Sequence, residues 1–173
     1  MSNGLAVDFL KLIVSLGCLS LFARWFAGVG IGAPYVPARR RDIRDAITLA
    51  HIGADDIVID LGSGDGCILE AAALQGARVI GYELNPFLVW YSRFRLRRFG
   101  DRAVVYRKDL FTADLKEPTI IFLFQITHIM PRIAQKLQRE KPSGRIISFV
   151  FDLPGFRCVA EKGVVKEFSL ELL

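Results

Sequence analysis

Asp56-Ile-Val-Ile-Asp-Leu-Gly-Ser-Gly-Asp-Gly66 is the segment from which the architecture of this 173-residue chain can be worked out. Its apolar half, Ile57 to Leu61, is mostly β-branched and is typical of a buried parallel strand. Glycines then occupy every second position, so the backbone can turn sharply and approach a ligand closely. Residues 68–74 have the composition of a helix. The loop therefore lies at a helix N-terminus, where free backbone amides point outward.

The rest of the chain alternates between predicted strands and predicted helices. Apolar runs predict strands at 77–82, 103–106, 119–124, 145–151, 156–159 and 166–172, and amphipathic or capped stretches predict helices at 38–52, 87–99 and 130–141. This alternation gives right-handed crossovers and a parallel sheet covered on both faces. We therefore predict an α/β fold, with a Rossmann-like, seven-stranded, mostly parallel sheet and helices on both faces.

Acidic side chains lie at the ends of three successive strands of this predicted sheet. Asp60 lies at the end of the first strand, Glu83 finishes the second, and Asp109 follows the third. Ligands of such sheets bind at the carboxyl ends of the strands, near the point where strand order reverses. After Glu83, Asn85 is suited to capping the next helix, whose first residue is then Pro86. The acids and the glycine loop therefore predict one shared binding site.

The loop favours S-adenosylmethionine over a dinucleotide. A dinucleotide fingerprint needs a third glycine at position 67, which is Cys67 here. Asp60 is poorly placed for a pyrophosphate, but it suits a ligand that carries an ammonium group and a sulfonium. The carboxylate of S-adenosylmethionine would lie near the loop amides, its amino group near Asp60, its ribose near Glu83 and its adenine near Asp109.

The predicted cofactor site thus combines loop, strand-end and cap residues. They are Asp60, Gly62, Ser63, Gly64, Gly66, Glu83, Asn85, Asp109 and Leu110. The three cysteines are scattered along the chain without a partner at ligand spacing, so we expect free thiols and no metal site.

Six motifs between Pro34 and Phe156 resemble those of a known family. They are Pro34-Tyr-Val-Pro37, Asp60-Leu-Gly-Ser-Gly-Asp-Gly66, Gly81-Tyr-Glu-Leu-Asn-Pro86, Trp90-Tyr-Ser-Arg93, Asp109-Leu-Phe111 and the Lys136-Leu-Gln segment before Gly144. On these motifs the chain resembles the class I S-adenosylmethionine-dependent methyltransferases. Within that class it is similar to the small protein-lysine methyltransferases, both the archaeal broad-specificity enzymes and the mitochondrial family that methylates a lysine in the c-type subunits of ATP synthase. The resemblance implies methyl transfer to a lysine ε-amine of a protein substrate.

Four residues are candidates for the walls of a channel that receives this lysine. Tyr35 and Pro37 would form one side, and Gln125 and Thr127 the other. The sequence offers no general base. An RNA or small-molecule substrate, or a non-catalytic role in binding S-adenosylmethionine, remains an alternative. We expect no nucleic-acid partner, because the chain has no RNP or KH motif.

The N-terminus predicts a membrane anchor ahead of the catalytic domain. Residues 5–32 are apolar apart from Asp8, Lys11 and Arg24. Their uncharged core is shorter than the roughly 20 residues that span a bilayer, so a span requires the flanking charges to lie at an interface. We predict a transmembrane anchor over 1–32 and a methyltransferase domain over 33–173. An interfacial or core-packed helix, or a cleaved targeting peptide, is the alternative.

The distribution of charge along the chain predicts the side of the membrane on which the domain would lie. The net charge is +5, and one arginine cluster, Arg39 to Arg44, follows the apolar segment. By the positive-inside rule it would hold the domain on the cytoplasmic or matrix side of the membrane. A second cluster, Arg93 to Arg98, is interpreted as a solvated helix face, although an anionic membrane would attract it. The neighbouring aromatic residues, Trp90, Tyr91 and Phe94, are interpreted as packing residues.

Overall fold

Seven strands form one sheet in the computed structural model, which describes residues 2–26 and 35–172. In chain order they are β1 (Ile57–Leu61), β2 (Arg78–Glu83), β3 (Ala103–Arg107), β4 (Ile120–Leu123), β5 (Arg145–Phe149), β6 (Phe156–Lys162) and β7 (Val165–Leu172). Their order across the sheet is β3-β2-β1-β4-β5-β7-β6. Strands β1 to β5 are parallel, and β7 is antiparallel to both neighbours. The sheet is therefore mixed, and its predicted seven strands are confirmed.

Five helices accompany the sheet in the described residues. They are α1 (Ser2–Phe26), α2 (Arg40–Ala50), α3 (Cys67–Leu74), α4 (Pro86–Leu96) and α5 (Met130–Glu140). The sequence predicts that α4 continues to Phe99, but the chain passes into a 3-10 segment at Arg97–Arg102 instead. Gly100, at φ 56° and ψ −137°, breaks the helical backbone there.

Apolar side chains alternate between the two faces of the sheet. Val58, Ile120 and Phe122 pack with α2, α3 and α4 in one buried cluster. The next residues along the same strands, such as Ile59 and Ile121, pack with α5 in a second cluster. This alternation follows from the strand period of two. The predicted helices on both faces are confirmed.

The N-terminal helix belongs to a separate unit. The chain divides into residues 1–35 and residues 36–173, so α1 lies outside the unit that contains the sheet. It carries Asp8 and Lys11, whose side chains pair at 3.4 Å. Among the described residues, none of the helices combines the length and the apolar character needed to cross a membrane. The predicted transmembrane helix is not supported, and residues 27–34 of the predicted anchor and linker lie outside the described residues.

The crossover into β5 gives a testable prediction about stability. A Cβ on Gly144 would lie 2.9 Å from the carbonyl carbon of Thr119 and closer still to the carbonyl oxygen of Pro118. Both atoms belong to backbone that leads into β4, so neither can move aside freely. We expect Gly144→Ala to lower the free energy of unfolding by about 2 kcal/mol in urea titrations.

The matched control is Gly53→Ala. A Cβ at that position would meet a single atom, Oδ2 of Asp56, at 3.9 Å, which is ordinary contact. A change of less than about 0.5 kcal/mol is expected for this variant. Equal losses in the two variants would show that the close approach at Gly144 is unimportant.

Candidate active site

The glycine loop turns over the end of β2. The backbone amides of Gly62 and Ser63 both donate to the carbonyl of Tyr82, at 2.9 and 3.0 Å. Gly62 has φ +98°, and a Cβ there would collide with the side-chain amide of Gln125. Gly66 has φ +78°, and a Cβ there would collide with the hydroxyl of Ser92. The loop therefore needs glycine at both positions, for conformation and for space.

Asp60 is buried at the foot of this loop. Asp60 is 1% exposed, and within the described part of the chain neither of its carboxylate oxygens has a hydrogen-bond partner. Burial, reinforced by the nearby charges of Glu83 and Asp65, raises the pKa of Asp60 to about 8. Asp60 lies near the carboxyl end of β1. Strand order reverses between β1 and its neighbour β4, which is where ligands of such sheets bind. It is therefore a buried acceptor that a cationic ligand group can satisfy.

Glu83 and Asn85 are held by the backbone around them. The Glu83 carboxylate accepts from the amide of Gly64 at 3.0 Å and from that of Asn85 at 2.7 Å. The side-chain oxygen of Asn85 accepts from the amide of Phe87 at 2.9 Å, which confirms its predicted role as the cap of α4. Glu83 thus connects the glycine loop to the start of α4. A cofactor role for Glu83 and Asn85 stays a prediction.

Asp109 and Leu110 follow β3, at the same edge of the sheet. Asp109 is exposed and accepts from the amide of Phe111 at 2.9 Å, so it caps a short 3-10 turn at Leu110–Thr112. Leu110 is half-buried and packs on the α5 cluster. Strand β3 is the edge strand next to β2, so Asp109 and Leu110 lie farther from the centre of the sheet than Glu83 does.

Lys136 fixes the segment that follows Asp109, although the sequence alone assigns it no role. Its ammonium group, 4% exposed at the side chain, donates to the carbonyls of Phe111 at 3.2 Å and Ala113 at 2.7 Å. It also pairs with Glu140 at 2.7 Å. Its spacing is the feature of the sequence that indicates burial, because position 136 lies three residues after Ile133 on the apolar face of α5.

The interpretation of residues 93–98 as a solvated face is wrong for Arg95. Its guanidinium pairs with Asp65 of the glycine loop at 2.7 Å and with Glu70 of α3 at 3.2 Å. The side chain is 23% exposed. The Arg93 guanidinium is also engaged, donating to the carbonyl of Val105 at 2.7 Å. Helix α4 is therefore bound to the glycine loop on one side and to β3 on the other.

Cys67 lies within this ionic cluster. Burial and the Asp65 carboxylate raise the pKa of its thiol to about 12. The thiol therefore stays neutral at physiological pH and is a packing residue rather than a nucleophile.

The four channel candidates differ in their exposure and in the unit to which they belong. Gln125 is buried over the loop, and its Nε2 donates to the carbonyl of Leu61 at 2.8 Å. Thr127 and Pro37 are exposed. Tyr35, 40% exposed, belongs to the N-terminal unit. Gln125 has a contact at the loop, and the channel itself stays a prediction.

Comparison with known proteins identifies the family. A family model described as the ANTKMT methyltransferase domain matches residues 60–160. The chain belongs to this family. The ATP synthase c-subunit lysine N-methyltransferase of Xenopus laevis is 38% identical over 126 residues, which are 71% of this chain and 55% of that protein. The protein-lysine N-methyltransferase of Saccharolobus islandicus is 31% identical over 128 residues, 71% of this chain and 80% of that protein. The resemblance drawn from the sequence motifs is confirmed.

A solved structure agrees with the fold and the cofactor. An RNA methyltransferase from Salinibacter ruber, in complex with S-adenosyl-L-homocysteine, matches with a TM-score of 0.69 and 27% identity, covering 77% of this chain and 91% of that one. The chain spans about half the length of the vertebrate ATP synthase lysine methyltransferases that it matches. The domain is an S-adenosylmethionine-dependent methyltransferase domain, which confirms the predicted cofactor.

The residues present fit this cofactor. Unpartnered polar atoms surround the loop, namely both carboxylate oxygens of Asp60 and the buried hydroxyls of Ser63 and Ser92. The ligand's ammonium group is a cation that could satisfy the Asp60 carboxylate, and the Ser63 hydroxyl is a donor that the cofactor could use. The side chains that would hold it therefore include Asp60, Ser63 and Glu83.

The raised pKa of Asp60 predicts how cofactor binding depends on pH. The free protein keeps a proton on Asp60 below about pH 8, and pairing with an ammonium group requires that proton to leave. Affinity for S-adenosylmethionine should therefore rise between pH 6 and pH 8, by at most about tenfold per unit. Calorimetric titration across this range measures it.

Asp60→Asn separates this effect from others. We expect the variant to bind the cofactor at least about tenfold more weakly at pH 8 and to lose most of the pH dependence. It should also flatten the loss of stability of the free protein as pH rises towards 8, because a folded state that retains a proton is destabilised there relative to the unfolded chain. A variant with the same pH profile as the parent would contradict the role of Asp60.

Proposed function

We propose that the chain is a protein-lysine N-methyltransferase, which transfers a methyl group from S-adenosylmethionine to the ε-amine of a lysine. The observation that carries this proposal is the buried Asp60 at the start of the glycine loop, which has no hydrogen-bond partner among the described residues and suits the ammonium group of S-adenosylmethionine. The two lysine methyltransferases reported above support the choice of a lysine as acceptor.

The chain's own residues would hold and orient the cofactor. Asp60 would accept from the ammonium group, and Glu83 would accept from the ribose hydroxyls. Asp109 and Leu110 border the adenine. When bound, S-adenosylmethionine supplies an electrophilic methyl group on its sulfonium. The protein contributes mainly position and exclusion of water.

The acceptor amine must be neutral before it can attack. A free lysine has a pKa of about 10.4, so its neutral form costs about 4 to 5 kcal/mol at pH 7. A nearby positive charge and a partly apolar passage lower that pKa. Gln125 would orient the amine: its Nε2 donates to the carbonyl of Leu61, which leaves its Oε1 as the atom that could accept from an incoming N–H. We assign no general base.

Tyr35, Pro37 and Thr127 are proposed as further walls of this passage, since all three are exposed. The proposed substrate is a protein that carries a lysine. Relatives named for the c-type subunits of ATP synthase make that kind of membrane protein the first to test. A location on the cytoplasmic or matrix side of a membrane stays a prediction. An RNA substrate is the second candidate, favoured by the likeness to an RNA methyltransferase.

The decisive measurement is methyl transfer from labelled S-adenosylmethionine. The purified full chain is incubated with membrane protein extract and with total RNA, and each product is then treated with protease or nuclease. We expect label that resists nuclease, is lost to protease and maps to a lysine by mass spectrometry. Label lost only to nuclease would identify an RNA methyltransferase, and cofactor binding without transfer would identify a binding protein.

Glu83→Ala tests the cofactor site within this assay. The Glu83 carboxylate is the predicted ribose acceptor, so its removal should abolish detectable transfer by raising the KM for S-adenosylmethionine at least about a hundredfold. Glu117→Ala, which removes an exposed glutamate of the loop before Pro118, is the matched control and should leave KM unchanged. Normal transfer by Glu83→Ala would show that the ribose contact is assigned wrongly.

A further inference from the structure

The positive charge of the chain is concentrated in one stretch. Residues 84–108 contain seven basic side chains and a single acidic one, Asp101, which gives this stretch a net charge of +6. The whole chain carries +5, so all the other residues together carry −1. The basic residues are Arg93, Arg95, Arg97, Arg98, Arg102, Arg107 and Lys108. The first six lie on α4, the 3-10 segment after it and β3, which is an edge strand of the sheet, and Lys108 directly follows β3.

Large aromatic side chains are exposed on the same surface, here called the α4–β3 face. On α4, Trp90 is 65% exposed, Phe94 53% and Tyr91 45%. Trp90 and Phe94 are one helical turn apart, and their rings stack with centroids 6.2 Å apart. On the sequence alone these helix residues are interpreted as packing residues. Their exposure instead leaves an apolar stripe in contact with water.

Most cations of this face are not neutralised by the protein. Among the described residues, no ion pair with a carboxylate is made by Arg93, Arg97, Arg102, Arg107 or Lys108. By contrast, Arg95 and Arg98 are paired with Asp65 and Glu70. Of these unneutralised charges, the Arg97 guanidinium lies against the aromatic stripe, 4.0 Å from the centre of the Phe94 ring.

We propose that the α4–β3 face binds the surface of an anionic lipid bilayer. Exposed Trp and Phe side chains enter the boundary between headgroups and acyl chains, while arginine and lysine side chains bind the lipid phosphates. Both chemistries are present here on one surface, and charge complementarity selects anionic over zwitterionic lipid. This attachment does not require any helix to span the membrane.

Single-stranded nucleic acid fits the same face less well. Its bases stack on free aromatic faces along a groove. On this surface one side of the Phe94 ring is covered by Arg97, and the ring also stacks on Trp90, so a base would have to displace one of them. Lipid insertion needs no free ring face. It therefore accommodates the arrangement as it stands.

The face is continuous with the candidate active site. Helix α4 begins at Pro86, directly after Glu83 and its cap Asn85, and Trp90 lies about one turn further along. A bilayer bound at this face would lie beside the edge of the sheet where the cofactor is expected. If the proposed function holds, this contact would present lysines near a membrane surface to the enzyme, but the binding itself is independent of that function.

Trp90 provides a direct readout of this contact. The chain has two tryptophans, so Trp25→Phe leaves Trp90 as the only indole in the full-length protein. Its emission is measured with vesicles of phosphatidylcholine alone and of phosphatidylcholine mixed with phosphatidylglycerol. We expect a blue shift with the anionic vesicles only, and its loss at high salt. An unchanged emission with anionic vesicles would overturn the proposal.

Charge reversal at opposite edges of the sheet is the second test. Arg107→Glu changes the edge strand β3, and Lys162→Glu makes the same change of charge on β6, the other edge strand. In sedimentation with anionic vesicles, we expect Arg107→Glu to lower partitioning roughly fivefold or more and Lys162→Glu to lower it less than about twofold. Equal effects would mean that binding depends on net charge or on α1, and would refute the α4–β3 face.

A competition with single-stranded RNA completes the test. Oligonucleotide that quenches Trp90 while vesicles leave its emission unchanged would identify a nucleic-acid surface, and the lipid proposal would be wrong. Methyl transfer is not needed for any of these measurements. Failure of the lipid contact can therefore be distinguished from failure of the proposed methyltransferase activity.

Discussion

The buried carboxylate of Asp60 is the constraint on which the site depends. An ionised carboxylate without a partner costs several kcal/mol in a protein interior, and the free protein avoids this cost because the raised pKa of Asp60 keeps the group protonated up to about pH 8. The Asp60 side chain lies near the end of the central strand β1, where an apolar side chain would stabilise the fold more. A carboxyl group retained at this position indicates that stability is exchanged for binding a cation.

Other acids of the region have partners within the protein. Asp65 and Glu70 are paired with Arg95, and the Glu83 carboxylate accepts two backbone amides. Asp60 is the buried acid that, in the described part of the chain, none of these groups satisfies. The site is therefore electrostatically incomplete at one point, and an ammonium group is the ligand feature that completes it. We therefore expect Asp60 to favour S-adenosylmethionine over a dinucleotide.

Local patterns made much of this predictable from the sequence. Alternating apolar residues determine the strands, and glycine spacing and a capping Asn85 mark the loop and the start of α4, because each is a short-range constraint. Arg95 and Lys136 were misjudged or overlooked because their partners lie 23 to 30 residues away along the chain. The sequence alone gives no sign that one arginine of residues 93–98 differs from the others. Only the tertiary contacts show that Arg95 is the partly buried one. The transmembrane prediction for α1 depended on Lys11 or Arg24 reaching an interface, and among the described residues no helix is long and apolar enough to span a membrane.

The two overlooked cations have matching roles on opposite faces of the sheet. Arg95 extends from α4 and fixes the glycine loop through Asp65, while Lys136 extends from α5 and fixes the carbonyls of Phe111 and Ala113 beside Asp109. Each helix thus positions one of the loops at the carboxyl edge of the sheet. A partly or fully buried cation that holds a loop loses more free energy when its contacts break than a surface ion pair does. The loops are therefore rigid before a ligand arrives, and the free energy of cofactor binding need not be spent on ordering them.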